Sequence, residues 1–178
     1  SVSTADKTPA ELGGILAEVL TTMARAINLQ KLGAAVGDGT LDVDVALLTG
    51  PDKSQLHEVA PPAVPHLVPS DQVHIAATNN MDQPVDVNVL YIGADYAISH
   101  WFAGRLQPGD RLKKGLFKIG DASFGDERMI VVVTPARPQS PVEDLSFLAQ
   151  DSLEMTREVD RPALTLANSS VDKTRVRA

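Results

Sequence analysis

The chain has 178 residues, 43% of them hydrophobic and 22% charged, with a mean hydropathy close to zero. Those values predict one domain-sized core with an appended element and exclude wholesale disorder. A formal charge of −7 and a pI near 5.0 argue against binding to a nucleic-acid backbone, and the lack of cysteine removes disulfides, thiolate metal sites and thiol nucleophiles.

"TPAELGGILAEVLTTMARAINLQKLGAAV" reads as a helix over about residues 9 to 32: Thr8 caps it, Pro9 opens it and Glu11 completes a capping box. Leu12, Ile15, Leu16, Val19, Leu20, Met23, Ile27 and Leu32 form an apolar stripe, for which core packing is the expectation and a partner-binding face the alternative. No apolar run here reaches the length expected of a membrane span, and no signal peptide is visible. The chain starts at Ser1 without a methionine, which predicts a processed fragment or a piece of a longer protein.

"GDGT", Gly37 to Thr40, is too short to cradle a phosphate and reads as a turn. In "TLDVDVALLTG", Leu41, Val43 and Val45 alternate with Asp42 and Asp44, the mark of a half-buried strand; a cation on the two aspartates lacks the rest of a calcium loop. "EVAPPAVPHLVPSDQ" holds four prolines and predicts an extended crossing.

From Val73 onward "VHIAATNN", "VDVNVLYI", "YAISHWF", "RLKKGLFKI" and "RMIVVVTP" are strand-length runs divided by turn residues, as in a small sandwich. "MIVVV" is apolar at every position, so its strand should be buried on both faces. Lys113 and Lys114 read as a solvated strand end. "SPVEDLSFLAQ" carries a second capping box, Ser140 to Glu143, and predicts a short helix docked on the sheet. After Asp151 the apolar periodicity fades except in "ALTLA", Ala163 to Ala167, and a loosely ordered tail is expected.

The fold class is therefore mainly β with flanking helices (α+β): a small antiparallel β-sandwich with a long N-terminal helix and a short helix after the last strand. Residues 1–36 form the helix packing on the sandwich, 37–150 the sandwich and 151–178 the tail.

No catalytic, cofactor or metal set emerges. There is no G-x-S-x-G elbow, and His57, His66, His74 and His100 are scattered without metal-pair spacing. Asp126 and Glu127 are adjacent carboxylates, but neighbours on extended chain point opposite ways. Trp101 and Phe102 stand out among few aromatics. On period two, Tyr96, Ile98 and Phe102 share one face and Trp101 the other, where it is either core or a partner anchor.

"NLQKLGAA", "DVDVALL", "VHIAATNNMDQPVDVNVLYIGADYAISHWF", "LQPGDRL", "FGDERMIVVVTPARP" and "VEDLSFLAQ" together resemble the domain of unknown function DUF4384 over about Ala24 to Gln150. The resemblance rests on the "NN-x-x-x-P-V-x-V-x-V-L-Y-I" hairpin, with Asn80 to Gln83 as its expected tip, the "PG" turn and the "FG-x-E" lead into the last strand; "ISHWF" lacks the proline expected after the aromatic, and the tail matches weakly. It implies a soluble bacterial accessory domain, cytoplasmic or of the envelope, following a caspase-like (metacaspase-type, peptidase C14) domain whose cysteine and histidine lie upstream. The expected function is noncatalytic recognition or regulation, binding its own upstream peptidase domain or a target protein. The expected contacts are Asn80, Met81, Asp82, Gln83, Trp101 and Phe102, together with the proline-rich crossing at Pro61 to Pro65. The alternative is a stand-alone hydrolase or carbohydrate-binding sandwich working through carboxylates such as Asp126 and Glu127.

Overall fold

The computed structural model of the chain describes residues 7–35, 41–60, 63–121 and 125–153, together with the backbone of 169–177. The turn expected at Gly37 to Thr40, Pro61 and Pro62 of the proline-rich crossing, and the "ALTLA" run lie outside the described residues.

Helix α1 spans Pro9–Ala35. Its start forms as the sequence requires: the Thr8 amide donates to Oε2 of Glu11 at 2.7 Å, and the Glu11 amide donates back to the Thr8 hydroxyl at 3.3 Å. Among the described residues nine strands follow: β1 (Val43–Gly50), β2 (His57–Glu58), β3 (His66–Leu67), β4 (Gln72–Asn79), β5 (Val85–Ile92), β6 (Ile98–Leu106), β7 (Arg111–Lys118), β8 (Gly125–Pro135) and β9 (Ser169–Arg177). They make two sheets, ordered β2-β1-β4-β7 and β3-β9-β8-β5-β6. All pairings are antiparallel except β8 with β9. The mainly β sandwich with one long helix is thus the observed fold.

The layers follow from period two. Val43, Val45 and Leu47 of β1 and Val73, Ile75 and Ala77 of β4 meet Val85, Val87 and Val89 of β5 and Met129, Val131 and Val133 of β8 in one buried cluster between the sheets. The outer face of the five-stranded sheet is covered as well. Leu90, Ile92, Ile98 and Ile130 pack there with Ala26 and Leu29 of α1 and with Leu145 and Leu148. Two covered faces explain why "MIVVV" has no polar alternate.

Four expectations need correction. The stripe on α1 is largely uncovered, with Leu16, Leu20 and Leu32 more than half exposed and only Ala26 and Gly33 buried. The outer-face cluster of Leu90, Ile92, Ile98 and Ile130 is shared between Ala26 and Leu29 of α1 and Leu145 and Leu148 of the segment after β8, so the helix has only part of it to cover. By length and composition α1 does reach what a membrane span needs, contrary to the reading that no apolar run does.

The helix expected from Ser140 onward shrinks to a single 3-10 turn, Ser146–Leu148. The capping box does not form, because the Ser140 hydroxyl bonds Arg137 and Arg105 while the Glu143 carboxylate accepts from Thr134. Residues 137–150 instead cross the sheet as an extended strap, closed by the Ile98 and Gln150 backbone pair at 3.0 Å. The tail, expected to be loose, contains β9, which runs parallel to β8 from Ser169 beside Gly125 to Arg177 beside Val133.

Candidate functional site

Asn80, Met81, Asp82 and Gln83 do not form a hairpin tip. They carry the chain from β4 in one sheet to β5 in the other. Asn79, fully buried, fixes this crossing: its Nδ2 donates to the carbonyls of Gln83 and Leu106 and its Oδ1 accepts from the Met81 amide. Met81 packs on the core, Asn80 donates to Asp44 at 2.9 Å and to Asp42 at 3.4 Å, and Asp82 and Gln83 are exposed. This loop is structural at its base and free only at two residues.

Trp101 and Phe102 lie elsewhere on the molecule. Val85 pairs with Leu106 and Val89 with Phe102, so four residue pairs, roughly 13 Å of strand, separate them from the crossing. The candidate contacts therefore fall into two groups that do not converge.

A β-bulge governs the aromatic end. Leu90 pairs with His100 and Val89 with Phe102, leaving Trp101 as the extra residue. The bulge resets the alternation, so Ile98 faces the helix layer while Phe102 packs on the inner core. The period-two reading that placed them on one face is corrected. Trp101 keeps 41% of its surface exposed, and its ring lies 5.1 Å from that of Phe117 on β7, which in turn meets Tyr91 at 4.9 Å. An exposed indole thus stands on an aromatic stack at the seam where the edges of the two sheets meet. Phe117 and Tyr91 were not legible as its supports, because only the pairing register brings them there.

The other concentration of polar side chains is on the outer face. Arg105 grips Asp86 through Nε at 2.7 Å and Nη2 at 2.8 Å, and donates to the Ser140 carbonyl at 2.7 Å and the Pro141 carbonyl at 3.0 Å. Asp86 also accepts from the Glu143 amide, and Asn88 exchanges bonds with the Glu143 carbonyl and the Leu145 amide. His100 Nε2 lies 2.9 Å from Oδ1 of Asn88. Burial alone would raise the Asp86 carboxyl, but Arg105 and the Glu143 amide outweigh it and hold it below the usual carboxylate range. The bonds to residues 140–145 tie the strap to the sheet, while the Arg105–Asp86 and His100–Asn88 pairs join β6 to β5 beneath it. The set does the work of a clamp and leaves no base facing an open nucleophile.

Of the adjacent carboxylates on β8, Glu127 is buried and Asp126 exposed. They do not share a groove. Burial pushes the Glu127 carboxyl up, against a hydrogen bond from Tyr91 that pulls it down, and Oε2 has no partner among the described residues. No cluster of three His, Asp or Glu side chains suited to a metal ion occurs among the described residues.

Comparison of the chain with models of known protein families, with curated proteins and with solved structures finds no match. The functional reading rests on the geometry and on the sequence resemblance.

Proposed function

We propose that the chain is a noncatalytic recognition domain which binds a protein surface through Trp101, the partner being the upstream domain of a bacterial caspase-like peptidase. The observation that carries the reading is an exposed indole at a sheet edge, held in place by Phe117 and Tyr91 rather than packed beneath a second layer. Indoles of this kind concentrate binding energy because they bring a large rigid surface at small entropic cost. The polar residues of the outer face support the same reading, since their hydrogen bonds are used in holding the strap.

Trp101 is the chain's single tryptophan, so its own fluorescence reports the test. On adding the peptidase domain encoded upstream, the emission should move to the blue with saturable dependence on concentration, and Trp101→Ala should weaken binding by more than tenfold while unfolding at nearly the same temperature. A spectrum that does not respond, together with a Trp101→Ala variant that binds as the parent does, overturns the reading.

A further inference from the structure

The outer face of the four-stranded sheet holds a different feature, independent of Trp101. A shallow cleft of about 490 Å³ is lined by Lys53, Leu56, His74, Lys113, Lys114 and Gly115. Lys53 comes from the turn after β1, His74 from the central strand β4, and the rest of its basic rim from the edge strand β7. No carboxylate lines it. Among the described residues none of the three lysines is ion-paired, although the chain as a whole carries seven more acidic than basic side chains. Like charges gathered without counter-charge repel one another, a cost that an anion seated between them would offset.

The floor of the cleft is built. A bulge in the β4–β7 ladder at Val73 and His74 sets Gly115 directly opposite His74. A Cβ at position 115 would come within 3.0 Å of the imidazole, so a glycine there lets the ring lie against the neighbouring strand. His74 is 7% exposed, with Nε2 at 3.1 Å from Oε1 of Gln72. Burial lowers its proton affinity, and the charges of Lys113 and Lys53 act in the same direction. Lysines on an edge strand also deter edge-to-edge pairing. That role accounts for neither Lys53, which is not on the edge, nor a buried histidine over a glycine.

We propose that this cleft is a binding site for a phosphate-type oxyanion, held by Lys53 and Lys113 above the imidazole of His74. The ammonium groups supply charge and rotatable donors, and a bound anion favours the protonated imidazole, which adds a further donor.

The test is an NMR titration of the folded chain with inorganic phosphate, at constant ionic strength maintained with chloride. Saturable shifts should appear at the Lys113 and Gly115 amides, and the His74 ring protons should move toward their imidazolium positions. Lys53→Ala and Lys113→Ala should each weaken binding about fivefold. Lys118→Ala, exposed on the same strand but outside the cleft, should not. A phosphoserine peptide that binds at least tenfold tighter than inorganic phosphate would assign the anion to a modified polypeptide, and equal binding would assign it to free phosphate. Shifts that chloride reproduces, or a loss at Lys118→Ala equal to that at Lys113→Ala, would reduce the cleft to general screening and overturn the proposal.

Discussion

Arg105 on β6 and Asp86 on β5 face each other across the ladder and close a fork of two parallel hydrogen bonds, 2.7 and 2.8 Å long. The same guanidinium reaches over to the Ser140 and Pro141 carbonyls, so one side chain joins two strands to the strap. A pair this well shielded is costly to half-remove, because the survivor is left buried and uncompensated.

Asp86→Asn should therefore lower the unfolding temperature by on the order of 5–10 °C at neutral pH. The pH dependence has a definite sign. The folded carboxyl lies below its ordinary value, so its stabilisation is complete above about pH 4 and is lost as the pH falls through the folded value. Thermal melts of both proteins from pH 7 down to pH 2 should converge at the acid end.

Glu127 has the opposite sign. Its folded carboxyl is raised by burial, so its favourable contribution is present at acid pH, below the unfolded value, and is lost as the pH rises through the folded one. Glu127→Gln removes the charge that would have to be buried. It should melt a few degrees above the parent at pH 8 and show no such gain at pH 4. Equal gains at both values would mean that packing, not ionisation, is responsible.

Gly50 ends β1 at a turn where a Cβ would fall on the backbone carbonyl of Gln55. Backbone cannot swing aside as a side chain can. Gly50→Ala should lower the unfolding temperature by on the order of 5 °C or more. Gly13→Ala, in open space on α1, should instead raise the unfolding temperature slightly. Paired melts compare the two.

Helix α1 offers a contrast within one element. Leu29 packs on the Leu90, Ile92 and Ile98 cluster, so Leu29→Ala should cost about 2 kcal/mol in a urea titration. Leu16→Ser with Leu20→Ser should change the midpoint little, since both side chains are already more than half in solvent.

Much of this fold was legible because its strands obey simple rules. β4, β5, β7 and β8 lie where alternating or fully apolar runs meet turn residues, and α1 starts at its capping box. What escaped was decided by contacts distant in sequence. Ser140 and Glu143 look like a helix start until Arg105 and Thr134, from other strands, take their hydrogen bonds. β9, "SSVDKTRVR", has too few apolar residues to announce a strand, and its backbone pairing with β8 defines it. The basic cleft was equally hidden. Lys113 and Lys114 read as a solvated strand end, and only register places Lys113 on the face of His74, beside Lys53.

The bulge at Trp101 bears on how such a surface can be acquired. His100 and Phe102 pair with consecutive residues of β5, so loss of codon 101 alone would leave an unbroken ladder with every other side chain on its present face. Loss of codon 103 would instead turn Arg105 toward the core and Leu106 away from it. Position 101 is thus a place in β6 where a single in-frame insertion or deletion adds or removes a large aromatic without rewriting the strand, and descendants of one ancestral sandwich could differ in whether they carry this contact while sharing everything beneath it.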